Sequence, residues 1–197
     1  MDNDKKDAQE LHEKAAMLWR ATKALDRQSE RDEAAGRSVA YGVPVAWDGA
    51  AKWALKWARS LATYEAFWST SNPNRAPREN TRNRESLSQE ERNHGEWARR
   101  RRRYRIRLSA FQIERLNVSP AFRWDPVQST WAVQLQECQI FFEKKGQQPR
   151  LNSADPHEYQ MARWLNRQLH KLREGSLSPA RAAGLDAFLR HDRHAGR

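Results

Sequence analysis

Apolar positions along this chain recur with the period of a helix. Near the N-terminus Leu11, Ala15, Leu18 and Leu25 are spaced four, three and seven apart, which predicts one helix over about residues 7–35. Acids and bases alternate over its remaining positions, so most of its surface is expected to be solvated. Gly36 is expected to stop this helix and Tyr41-Gly-Val-Pro44 to form a loop.

From Trp47 onward the pattern occurs twice. Trp57, Leu61, Tyr64 and Phe67 form one stripe, and Trp131, Leu135, Cys138 and Phe141 form another at identical offsets. A Pro-containing loop follows in each copy, Ser71–Arg78 and Gly146–Arg150, and then a second helix centred on Trp97 or Trp164. Leu108-Ser109 and Leu177-Ser178 each open a third segment, with Leu116 or Leu185 eight residues after the first leucine. This shared order of landmarks predicts an internal repeat.

Start and stop signals support the three segments. Ser88 precedes Glu91 at capping-box spacing. The second helix of the second copy is expected over Pro156–Arg173, with Met161, Trp164, Leu165, Leu169 and Leu172 inward and Gly175 at its end. Ser178 with Pro179 is a start signal for the third. No segment alternates at period two. The expected fold is all-α: two tandem three-helix bundle repeats, residues 47–123 and 124–197, preceded by an N-terminal helix and linker, 1–46.

Composition adds a partner class. The chain has 197 residues, 38% hydrophobic, with a formal charge of +11. Residues 1–35 carry nine acids against seven Lys/Arg, so the basic excess lies in the remainder. Such a balance favours a polyanion such as nucleic acid. No apolar run approaches the ~18 residues of a membrane span, so no membrane partner is expected. Residues 1–13 lack the apolar core of a signal peptide. Together with a single cysteine, Cys138, this predicts a cytoplasmic protein, nucleoid-associated if bacterial. Nine tryptophans are expected mainly as core, because one or two indoles close a small helical bundle. Trp53 and Trp68 are the candidates for exposure.

The order of these landmarks resembles the helicase-associated domain, a short repeat found in tandem C-terminal to some bacterial helicase motors. The residues that carry it are Ala162-Arg-Trp-Leu-Asn-Arg-Gln168, Leu177-Ser-Pro-Ala-Arg181, Leu185-Asp-Ala-Phe188, and the junction Phe122-Arg-Trp-Asp-Pro126 leading into Trp131. The resemblance spans about residues 47–197. It departs where the family commonly has Gln-Arg after the second-helix Trp: the second copy has Gln168-Leu169, and the first has an arginine run. The resemblance implies nucleic acid as ligand. No Gly-x-x-x-x-Gly-Lys-[Ser/Thr] loop is present, which excludes ATP-driven unwinding by this chain alone.

The candidate contacts are cationic. Arg99, Arg100, Arg101, Arg102 and Arg103 are consecutive, and Arg105 and Arg107 follow. Guanidinium forks match phosphate oxygens and guanine edges, while the bland reading is a solvated basic face. Arg75, Arg78, Arg82 and Arg84 extend the set into the preceding loop, which either orders on a duplex or stays a mobile surface loop. Arg163, Arg167, His170, Lys171 and Arg173 form a weaker counterpart in the second copy. Gln168 either reads adenine or is a plain surface or core-edge glutamine. His191 and His194 lack an evident third metal ligand, Cys138 lies on the inner stripe without an evident base, and the carboxylates are scattered among bases. No cofactor, metal or enzymatic activity is expected. The expected function is duplex-DNA binding. The alternatives are RNA or single-strand binding through exposed indoles, and a protein adaptor that self-associates or docks a partner through the N-terminal helix.

Overall fold

The structure is a computed structural model that describes residues 2–24, 26–44, 49–71, 74–79 and 84–195. Among these the protein is all-α: α1 (Asp2–Ala21), α2 (Arg27–Tyr41), α3 (Gly49–Thr70), α4 (Gln89–Arg103), α5 (Ala110–Val118), α6 (Pro126–Lys145), α7 (Pro156–Arg173) and α8 (Pro179–Ala195). Two compact units are present, Met1–Trp124 and Asp125–Arg197.

The N-terminal segment of the first unit is two helices, not the single helix expected over 7–35. The chain turns after Ala21: Lys23 takes φ +58°, and the Trp19 indole donates to the Ala24 carbonyl at 3.0 Å. Asp26 then caps α2 by accepting from the Ser29 N–H at 2.9 Å. Gly36 does not stop α2. It lies inside the helix facing α1, where a Cβ would come within 3.0 Å of His12 Nδ1. The terminator is Gly42, at φ +73°, whose N–H donates to the Ser38 carbonyl at 2.8 Å.

These two helices are not a solvated appendage. Ala15, Ala16, Trp19 and Ala35 share a core with Ala54, Trp57, Leu61, Tyr64, Ala98, Phe111, Leu116 and Phe122. α5 has nine residues, too few to cover its own apolar side. It packs against α1 and α2, with Phe111 meeting Trp19 edge-on at 5.8 Å. The core therefore continues across the expected linker near residue 46.

Several polar groups between these helices are paired. Asp32 is fully buried and accepts from Ser109 Oγ at 2.7 Å and from the Gln28 amide at 3.1 Å, tying α2 to the start of α5. Burial pushes the Asp32 carboxyl up, against these hydrogen bonds. Arg115 donates twice to Glu65, both at 2.7 Å, joining α5 to α3. The capping box forms at Ser109 and Gln112, not at Ser88. Ser88 does accept from the Glu91 N–H, at 3.1 Å, but the Glu91 carboxylate is engaged elsewhere.

The second unit is α6, α7 and α8 around Trp131, Leu135, Cys138, Phe142, Met161, Trp164, Leu165, Leu185 and Phe188. Asp125 and Asp155 cap α6 and α7, each followed by Pro at the first helical position. Gly146 and Gly175 take φ +66° and +65° after their ends. Cys138 is a packed core thiol, and burial pushes it up to about 11.

The inner stripe of α6 ends on Phe142, with Phe141 only half-buried. Steps of four, three and four from Trp131 lead to Phe142, and the same steps from Trp57 lead to Trp68. Trp68, a candidate for exposure, is accordingly half-buried against the core. Trp97 is also half-buried there, while Trp57, Trp131 and Trp164 are buried.

Candidate nucleic-acid interface

The arginines of the first unit separate into those turned into the protein and those turned to solvent. The phase of α4 decides which. Glu91, His94, Gly95 and Ala98 form its buried side, and Arg101 and Arg102 continue that side at the C-terminal end. Arg101 lies over the Trp97 ring at 5.7 Å. Burial, and then the neighbouring Arg100 charge, push its guanidinium down. Arg102 pairs with Glu79, donates to the Arg123 carbonyl at 2.9 Å, and lies over Phe122 at 5.6 Å. Arg102 is thus engaged internally and Arg101 is drawn over Trp97, so neither projects as freely as the sequence expectation has it.

Arg75 and Arg78 are likewise engaged. Both bind the buried Glu91, Arg75 through its guanidinium at 2.6 Å and Arg78 through its backbone N–H at 2.8 Å and Nε at 3.1 Å. Burial would raise the Glu91 carboxyl, but the bonds from Arg78 and Arg75 outweigh it and hold the group at about 2. Gly95 makes this approach possible, since a Cβ there would come within 2.7 Å of the Arg78 carbonyl oxygen. Residues 74–79 are thus a strap tied to α4 and not a free loop, with the Arg75 and Arg78 side chains still about half exposed. Arg82 lies outside the described residues. Arg84 opens a short 3-10 turn, Arg84–Ser86.

Five exposed arginines gather at one end of α4: Arg99, Arg100, Arg103, Arg105 and Arg107. They surround the last turn of α4 and the single 3-10 turn Arg105–Arg107. The helix macrodipole favours cations at this end, which offsets some of their mutual repulsion. Arg99 pairs with the exposed Glu96 at 2.5 Å, a contact that solvent weakens. The other four have no carboxylate partner among the described residues. Aromatic rings orient three of them: Arg105 lies 4.4 Å from the Trp124 ring, while Arg107 and Arg103 lie 5.1 and 5.6 Å from Tyr104. Tyr104, Trp124 and the exposed Arg123 belong to this surface and were absent from the sequence expectation. A signal existed for Tyr104, which interrupts the arginine run, whereas the contact between Arg105 and Trp124 is visible only in the fold.

In the second unit Arg163, Arg167, His170, Lys171 and Arg173 are all exposed on α7. Arg163 lies over Tyr159 at 5.7 Å, and His170 is 3.4 Å from Glu174. Gln168 is on the opposite side, 7% exposed, accepting from the Trp131 indole N–H at 3.0 Å. It joins α6 to α7 and cannot reach a base edge. No group of three His, Cys, Asp or Glu among the described residues is placed to hold a metal, and no described helix is long and apolar enough to cross a membrane. His191 and His194 have side chains outside the described residues.

No family model, curated protein or solved structure matches the chain.

Proposed function

We propose that this protein binds duplex DNA without catalysing a reaction, mainly through phosphate contacts. One observation carries the reading: five exposed arginines, four of them with no carboxylate partner among the described residues, gather on one end of α4 and the turn after it, while Arg75, Arg78 and Arg102 pair with Glu91 and Glu79. Maintaining so many like charges together disfavours the free protein and favours an anionic partner. The outward cations of α7 give the second unit a basic surface of its own. Two such surfaces on one chain raise affinity through effective concentration. The resemblance to helicase-associated repeats agrees with this ligand.

The test is a titration of the full chain with duplex DNA across salt concentrations. Five contacts predict a slope of log K against log salt of about −4 or steeper. A slope shallower than about −2 would reject phosphate-dominated binding.

A second reading, single-strand or RNA binding by stacking, draws on one residue. Trp53 is 68% exposed, with Lys56 over its ring at 5.5 Å. Competition between duplex, single-stranded DNA and structured RNA separates the two, because Trp53→Ala weakens only stacking-based binding. The adaptor reading draws little support from α1, whose apolar side already faces α5 and α2.

A further inference from the structure

Ile106 is 95% exposed, the most exposed large apolar side chain among the described residues. It stands at the middle of the Arg105–Arg107 turn, which backbone hydrogen bonds close on both sides: Arg107 N–H to the Tyr104 carbonyl at 2.9 Å and Leu108 N–H to the Arg105 carbonyl at 3.1 Å. So exposed an isoleucine contributes nothing to the core. Its two neighbours are guanidiniums held by ring faces, Arg105 on Trp124 and Arg107 on Tyr104. An apolar tip ringed by cations complements a partner that is anionic at its rim and apolar within.

Duplex DNA has that layout, with phosphates flanking stacked base pairs. A minor groove about 6 Å wide excludes a helix but admits side chains from a narrow turn. Apolar wedges flanked by basic residues are a recurrent means of opening a base step from that groove. An anionic membrane shares the layout, but one isoleucine offers too little apolar area for stable anchoring.

We propose that the Arg105–Ile106–Arg107 turn enters the minor groove, that Ile106 inserts between two base pairs, and that binding kinks the duplex toward the major groove. The inference rests on the duplex-binding reading. It adds a preference for pyrimidine–purine steps such as TA, which unstack most readily.

The experiment uses the full chain and a duplex of about 25 base pairs with a central TA step, end-labelled with a fluorophore pair. Binding shortens the end-to-end distance by an amount that matches a kink of roughly 20–90°. Ile106→Ala abolishes the shortening while keeping the salt slope and the thermal melt, and Ile106→Leu restores it. Arg105→Ala with Arg107→Ala makes the slope shallower by about 2. Duplex binding without shortening, or shortening that persists in Ile106→Ala, overturns the wedge and leaves the duplex-binding reading intact. No duplex binding by the unaltered chain overturns both. Binding to phosphatidylserine vesicles that Ile106→Ala removes, with DNA bending unchanged, assigns the tip to membranes and overturns it as well.

Discussion

Replacing Glu91 by Gln removes one negative charge where the strap 74–79 meets α4. Glu91 is 4% exposed and accepts from the guanidiniums of Arg75 and Arg78 and from the Arg78 N–H. Its carboxyl is held at about 2 rather than 4.5. That gap amounts to about 3 kcal/mol in favour of the charged form. Both arginine side chains are about half exposed, at 42% and 54%, so solvent screening reduces the contribution to roughly 2 kcal/mol. In a unit of this size the melting temperature should fall by about 5–10 °C at neutral pH. The folded value lies below the unfolded one. The contribution is therefore complete above about pH 4.5 and is lost as pH falls toward 2, so the two proteins should converge in acid. Binding should change in the opposite sense. Arg75 and Arg78 are released, and if both reach phosphates the salt slope steepens by up to about 2. Thermal melts across pH, with duplex titrations at several salt concentrations, measure both effects. Equal melting at pH 7 would refute the anchoring role, and a shallower salt slope would refute the idea that Glu91 sequesters binding cations.

Gly95→Ala should lower the melt of the first unit even though Ala favours helix by about 1 kcal/mol, because its Cβ would meet the Arg78 carbonyl at 2.7 Å; calorimetry showing a higher melt would mean the strap is readily displaced. Gln168→Ala should destabilise the second unit by about 1–2 kcal/mol through the orphaned Trp131 indole and leave duplex affinity unchanged. A denaturant titration beside a binding titration checks both halves. Asp32→Asn keeps an acceptor for Ser109 without a buried charge and should leave the melt unchanged or higher, whereas Asp32→Ala should cost about 1–3 kcal/mol; thermal melts of the pair decide.

The second unit was largely legible in the sequence. α6 and α7 begin at Asp-Pro and end near Gly, α8 begins at Ser-Pro, and all three carry large apolar residues at helical spacing, so they announce themselves. The N-terminal pair was harder because its core side is built largely of alanine. Ala15, Ala16, Ala35 and Ala40 are buried but weigh little in any hydrophobic period, and the surrounding charges mask them. Asp26 before Ser29 was a cap signal hidden within an apparently continuous pattern. At the candidate interface, composition identified the arginines without identifying their direction. Direction follows from helical phase: Ala98 and Glu91 share a side of α4, which carries Arg101 and Arg102 inward and Arg99, Arg100 and Arg103 outward. The partners of Arg75, Arg78 and Arg102 were not readable, because Glu91 and Glu79 come to them only when the strap folds back on the helix. Gln168 was readable in principle, since it lies four residues after Trp164 and next to Leu169 on the inward side.

Cys138 makes the second unit a clock for its own opening. It is the chain's one cysteine, fully buried, with its thiol pushed up to about 11, so the closed unit offers a trapping reagent almost no thiolate. Alkylation must wait for α6 to part from α7 and α8, and the rate of mass increase then reports how often that occurs. No other thiol has to be removed first. Duplex DNA added to the reaction would slow the clock only if it binds the closed second unit more tightly than the opened one. The alkylation rate thus registers whether the second unit engages the ligand, without any change to its sequence.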